Sequence, residues 1–112
     1  MEVNFSGKGL YSLPNLPESL KILHCNGNRL NSLPDLPEGL TKFSCGSNQL
    51  ISLPILPESL TILYCHYNQL TSLPNLPGSL TELYCGNNQL TSIFSTNGTL
   101  DNYSTFSETF FG

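Results

Sequence analysis

The sequence predicts a solenoid: a stack of twenty-residue coils with a parallel β-sheet along one face, extended polyproline II returns along the other, and little or no α-helix. Three observations predict it. Leu20, Leu40, Leu60, Leu80 and Leu100 open successive units, with Leu23, Phe43, Leu63, Leu83 and Tyr103 three residues later. Cys25, Cys45, Cys65 and Cys85 share one phase, and Asn28, Asn48, Asn68 and Asn88 share another. A Leu-Pro-x-Leu-Pro stretch then recurs from Leu13, Leu33, Leu53 and Leu73. A fixed period of this size belongs to a stacked array in which each unit touches its neighbours, not to a globule built around one centre.

The chain of 112 residues reads as one domain, 1–112, in three parts. Residues 1–19 form an incomplete leading unit, in which Val3, Phe5, Lys8 and Leu10 take the phases held later by Leu23, Cys25, Asn28 and Leu30. Lys8 at the open edge discourages edge-to-edge strand pairing. Residues 20–99 hold four regular units. In each, a run such as Ile22-Leu-His-Cys-Asn26 alternates inward and outward as a short strand must. The asparagine that follows sits where the chain turns inward, and its amide can satisfy backbone groups that burial would otherwise leave unpaired.

The return of each unit, such as Leu73-Pro-Asn-Leu-Pro77, carries two prolines. Proline fixes φ and removes an N–H donor, so neither a strand ladder nor a helix interior survives there, and the chain runs as polyproline II. One unit, Leu20–Gly39, turns Leu20, Leu23, Cys25, Leu30, Leu33 and Leu36 inward. That burial cannot offset the entropy of ordering twenty residues, so only stacking makes a unit stable. Residues 100–112 keep the register and lose the chemistry. Thr105 replaces the cysteine, Glu108 replaces the asparagine, and the preceding Ile93–Asn97 has no proline. This is a degenerate C-terminal cap. Phe94, Phe106 and Phe111 fall at outward phases, where they fold over the open sheet edge, pair two chains into a homodimer or mark a truncation point.

Composition excludes several classes. The net charge is −4, and the four cations, Lys8, Lys21, Arg29 and Lys42, all lie in the N-terminal half, which argues against a nucleic-acid partner. No stretch reaches transmembrane length, so no membrane association is expected. Glu2 and the lack of an apolar run in MEVNFSGKGL argue against a cleavable secretory signal. The expected location is cytoplasmic, or exported without such a signal. Cysteines stacked in one phase have parallel Cβ vectors, a poor geometry for a disulfide. They read as reduced, small core hydrophobes.

The pattern LxxLxCxxNxL followed by xxLPxLPxx resembles the short bacterial-type leucine-rich repeat, over about residues 10–99. The family includes secreted effectors of enteric pathogens. The resemblance implies a leucine-rich-repeat right-handed solenoid with a concave parallel sheet used for protein binding. Some effectors append a ubiquitin-ligase domain with a Cys-x-Asp nucleophile. Every cysteine here belongs to a repeat, and Gly27, Ser47, Tyr67 or Asn87 stands at the Asp position, so that activity does not carry over. The family's leading helical hairpin is also absent from the sequence.

Outward strand positions and the turn after them form a continuous panel, and these are the positions at which the repeats differ most. The candidate partner-binding residues are Ile22, His24 and Asn26; Lys42, Ser44 and Ser47; Ile62, Tyr64, His66 and Tyr67; and Glu82, Tyr84 and Asn87. Variation confined to one face of a uniform scaffold marks a binding surface, although drift at solvent sites produces the same pattern. Ile62, Tyr64, Tyr67 and Tyr84 concentrate the aromatic area that binding hot spots favour.

His24 and His66 each adjoin a cysteine, but neighbours in a strand point to opposite faces and cannot share an ion. No metal or cofactor site is expected. No Ser-His-Asp grouping, carboxylate pair or phosphate loop stands out, so no catalytic residue is assigned and the chain is not expected to be an enzyme. The functional expectation is a protein–protein interaction module using the concave face. Two alternatives are a structural, surface-organising solenoid built on the hydroxyl column Ser12, Ser32, Ser52, Ser72 and Ser92, and the substrate-recognition fragment of a larger effector such as a ubiquitin ligase.

Overall fold

Twenty residues per coil give each unit one strand, one tight turn and one proline-fixed return, and the sheet register follows from that number. The computed structural model describes residues 1–90. Strands β1 (Glu2–Asn4), β2 (Ile22–His24), β3 (Lys42–Ser44), β4 (Ile62–Tyr64) and β5 (Glu82–Tyr84) form one sheet in sequence order. Every neighbouring pair is parallel, with Val3 opposite Leu23, Leu23 opposite Phe43, Phe43 opposite Leu63 and Leu63 opposite Leu83. None of the described residues lies in a helix.

Each strand is three residues long, shorter than the five-residue run that the alternation predicts. Backbone pairing nevertheless continues on both sides. Thr41 N–H donates to the Lys21 carbonyl at 2.8 Å, Cys25 N–H to Ser44 at 2.9 Å, and Gly27 N–H to Gly46 at 3.0 Å. Past this ladder the chain enters the left-handed region once per regular coil, at Gly27 (φ 64°), Ser47 (57°), Tyr67 (55°) and Asn87 (57°). Glycine suits that conformation; a bulky residue such as tyrosine pays a steric cost for it.

The left-handed turn drives the next residue, the asparagine, into the core. Asn48 Oδ1 accepts from Leu30 N–H of the preceding coil at 3.1 Å. Its amide donates to the Cys25, Cys45 and Gly46 carbonyls at 3.0 to 3.2 Å. Asn68 and Asn88 repeat the pattern one and two coils on, and Asn28 accepts from both Lys8 and Leu10. One amide thus fastens two coils together.

The return carries one backbone bond per coil, Gln49 N–H to Leu30 and Gln69 N–H to Leu50, before the prolines interrupt pairing. Each coil closes with a turn in which Leu40 N–H donates to the Pro37 carbonyl at 3.2 Å and Leu60 N–H to Pro57 at 3.1 Å. The core is the stack of Leu20, Leu23, Cys25 and Leu30 with their equivalents. Leu33 and Leu36, expected fully inward, are only half-buried, because a return without a ladder sits at the rim of the coil. Burial of that second leucine deepens along the stack, from half-buried Leu16 and Leu36 to buried Leu56 and Leu76.

All four cysteines are free and buried. Burial pushes the Cys25 and Cys85 thiols up to about 12 and holds Cys45 and Cys65 well above the ordinary thiol value. They pack as neutral apolar groups. The readings on Ser92, Phe94, Thr105, Phe106, Glu108 and Phe111 lie outside the described residues.

Candidate functional site

Alternation places residues 22, 24 and 26 and their equivalents on the sheet face opposite the leucines and cysteines. Three rows result: Ile22, Lys42, Ile62, Glu82; His24, Ser44, Tyr64, Tyr84; and Asn26, Gly46, His66, Gly86. The two halves of this face behave differently.

In the N-terminal half the polar side chains satisfy one another. Asn26 Oδ1 accepts from Gly46 N–H at 2.7 Å and its amide donates to Ser44 Oγ at 3.0 Å. Ser44 Oγ lies 2.8 Å from His24 Nδ1, and His24 Nε2 lies 3.1 Å from Glu2 Oε2. Asn26, Ser44, His24 and Glu2 thus form one continuous chain of polar contacts. Ser44, expected on the open panel, is only 4% exposed beneath this network. A serine, a histidine and a glutamate in line resemble a hydrolytic relay, a grouping that the sequence alone did not suggest. Yet the hydroxyl is buried and already occupied by Asn26, so no substrate carbonyl reaches it. The network fastens strands β1, β2 and β3.

In the C-terminal half the side chains are large and aromatic. The Tyr64 and Tyr84 rings meet edge-to-face, centroids 4.7 Å apart. Tyr64 Oη donates to Glu82 Oε2 at 3.1 Å. Partial burial, followed by that bond and the carboxylate's charge, raises the phenol's pKa above its ordinary value. The His66 ring lies directly over Gly46, where a Cβ would sit 2.6 Å from Cε1 and Nε2. Its Nδ1 is buried with no hydrogen-bond partner among the described residues. Tyr67 stacks edge-on to His66 at 5.8 Å and remains 58% exposed. Tyr64, His66, Tyr67, Tyr84, Gly86 and Asn87 together line an open pocket of about 380 Å³.

Solved structures similar to this chain include bacterial effectors. YopM from Yersinia enterocolitica WA-314 is 34% identical with a TM-score of 0.81, over 96% of this chain and 26% of that one. The leucine-rich effector protein YopM from Yersinia pestis is 33% identical with a TM-score of 0.73, over 83% and 33% of the two chains. A Shigella effector LRR domain is 33% identical with a TM-score of 0.62, over 86% and 53%. The family model for leucine-rich repeats (2 copies) matches residues 58–98. The chain is an effector-like leucine-rich-repeat protein. It spans about a quarter to a half of the length of these structures. A comparison with curated proteins gave no match. Leucine-rich repeats of this kind generally mediate protein–protein interaction and are typically scaffolds rather than enzymes.

Of the candidate binding residues, the structure brings Tyr64, His66, Tyr67, Tyr84 and Asn87 to one pocket, with Glu82 bonded to its wall. Ile22, His24 and Asn26 stand apart from it, with His24 and Asn26 engaged within the repeat protein itself. Lys42 and Ser47 are exposed and Ile62 half-buried. Gly86, which lines the pocket, and Gly46, on which His66 rests, fall on the outward panel in the sequence but were not among the candidate binding residues. Glycine at the phase of His66 was the available signal: a missing side chain opens space for a neighbour's ring. Among the described residues no three His, Cys, Asp or Glu side chains converge as metal ligands, and no helix is long and apolar enough to cross a membrane. The serine column is exposed at Ser12, Ser32, Ser52 and Ser72.

Proposed function

We propose that this repeat protein is a binding module for a protein partner, which it engages on the concave sheet face over strands β4 and β5. The observation that carries the reading is the aromatic pocket between Tyr64, Tyr67 and Tyr84, with Tyr67 held at a φ of 55°. A tyrosine in the left-handed region costs stability, and such strain persists where the surroundings hold it for a purpose. Tyrosines offer large rigid area and a hydroxyl, and they are enriched at binding hot spots.

The N-terminal half of the same face is already satisfied internally, so it frames the contact. Because the chain spans only part of the effectors it matches, the module also fits the recognition portion of a longer protein. The reading includes no catalytic residue. Affinity capture with the wild-type chain and with the Tyr64→Ala/Tyr84→Ala variant tests it. A partner held by the wild type and lost by the variant, with thermal unfolding nearly unchanged, supports the reading. Equal capture by both refutes it.

A further inference from the structure

We propose that the pocket between Tyr64, Tyr67 and Tyr84 receives a cationic side chain, lysine or arginine, from the protein partner. The inference rests on the binding reading above and adds the chemistry of what binds.

Three tyrosine rings line one small pocket, and the face of each ring carries the negative end of its quadrupole. Tyr64 donates its phenolic proton to Glu82, which shifts electron density into that ring and puts a carboxylate beside the pocket. Both features favour a positive guest. At about 380 Å³ the open pocket has room for one long side chain.

The chain supplies no such guest itself. Its last cation is Lys42, and every charged residue after it (Glu58, Glu82, Asp101 and Glu108) is acidic. Elsewhere the protein shows what it does with a tyrosine and a cation of its own. Arg29 lies over the Tyr11 ring, Cζ 5.5 Å from the centroid, and donates to its hydroxyl at 2.7 Å. That pair lies at phases other than those of Tyr64, Tyr67 and Tyr84, and it is not repeated in later coils, where Gln49, Gln69 and Gln89 stand at the arginine phase and Asn31, Ile51 and Thr71 at the tyrosine phase. Holding Tyr67 in the left-handed region supplies the third ring at a conformational cost.

The test titrates the folded chain with N-acetylarginine amide and, separately, with its neutral near-isostere N-acetylcitrulline amide, following the tyrosine ring resonances by NMR. Saturable shifts at Tyr64, Tyr67 and Tyr84, with the arginine compound binding at least about threefold more tightly, are expected for a guest held by cation–π contact. Glu82→Gln narrows that preference and Tyr84→Leu abolishes it; a folded-state spectrum of each variant away from the pocket shows that the fold is kept. Equal response to the two compounds, response to neither, or an undiminished preference in Tyr84→Leu overturns the proposal. If the tyrosine-to-alanine variant still loses its protein partner while the two compounds behave alike, the binding reading stands and the cationic guest does not.

Discussion

Asn48 donates to the Cys25 carbonyl at 3.0 Å, twenty-three residues back, and to the Cys45 carbonyl of its own coil at 3.1 Å. That pair of bonds turns a twenty-residue sequence repeat into a continuous stack. A leucine core is non-directional and would tolerate a coil rotated or slipped against its neighbour. The amide does not, because its oxygen must simultaneously meet Leu30 N–H.

The asparagine row therefore predicts a large loss on truncation. Asn68→Ala strands Leu50 N–H in the core, while the Cys45 and Cys65 carbonyls each lose one of two donors and keep the amides of Asn48 and Asn88. A buried unpaired group costs about 1–3 kcal/mol. With one N–H left unpaired, the variant is expected to lose about 1–3 kcal/mol in urea unfolding, above the loss from an exposed position such as Gln69→Ala.

Gly46 and His66 form a second coupled pair. A methyl at position 46 collides with the His66 ring at 2.6 Å, so Gly46→Ala should destabilise by about 1–3 kcal/mol, the usual range for overpacking. In Gly46→Ala/His66→Ala the clash is gone and most of the loss is recovered. A double-mutant cycle measures the coupling, and additive losses would show that the ring and the glycine are independent.

Tyr67 trades stability for surface. Asparagine tolerates the left-handed region better than tyrosine, and Asn87 already holds the equivalent place one coil on at φ 57°. Tyr67→Asn should raise stability by about 0.5–1 kcal/mol in chemical denaturation while weakening partner capture. Tyr67→Val, β-branched, should lower it.

The buried thiols make stability pH-dependent in the alkaline range. In the unfolded chain a cysteine loses its proton near pH 9, whereas folded Cys25 and Cys85 keep theirs to about 12 and Cys45 and Cys65 are also raised. The folded state holds protons that the unfolded state releases. The contribution is therefore complete below pH 9 and is lost as pH rises from there toward 12. Each thiol adds about 1.4 kcal/mol of loss per pH unit within that window. Urea midpoints between pH 8 and 10.5 should fall steeply in the wild type, and the slope should be shallower in Cys45→Ala. Equal slopes would mean that the thiols titrate alike in both states.

The periodic features were legible in the sequence because they obey a rule that each coil repeats. Leucine phase, asparagine phase and paired prolines give the sheet, the amide row and the unladdered return. The site was legible only as a panel. Ser44 looks exposed in an alternating strand, yet it is buried where it bonds with His24 and Asn26 of the preceding coil. The seat of His66 over Gly46 and the bond from Tyr64 to Glu82 likewise join residues about twenty positions apart, a contact that phase aligns but does not specify. The left-handed position was hidden because Gly27 signals it in one coil, whereas Ser47, Tyr67 and Asn87 fill it without glycine.

Amide hydrogen exchange, measured on the free chain and with a captured partner bound, tests the binding face directly. Protection gained across residues 62–67 and 82–87, with the returns at 33–38 and 53–58 unchanged, is the predicted result. Protection confined to those returns, with the sheet face exchanging as before, would contradict the account.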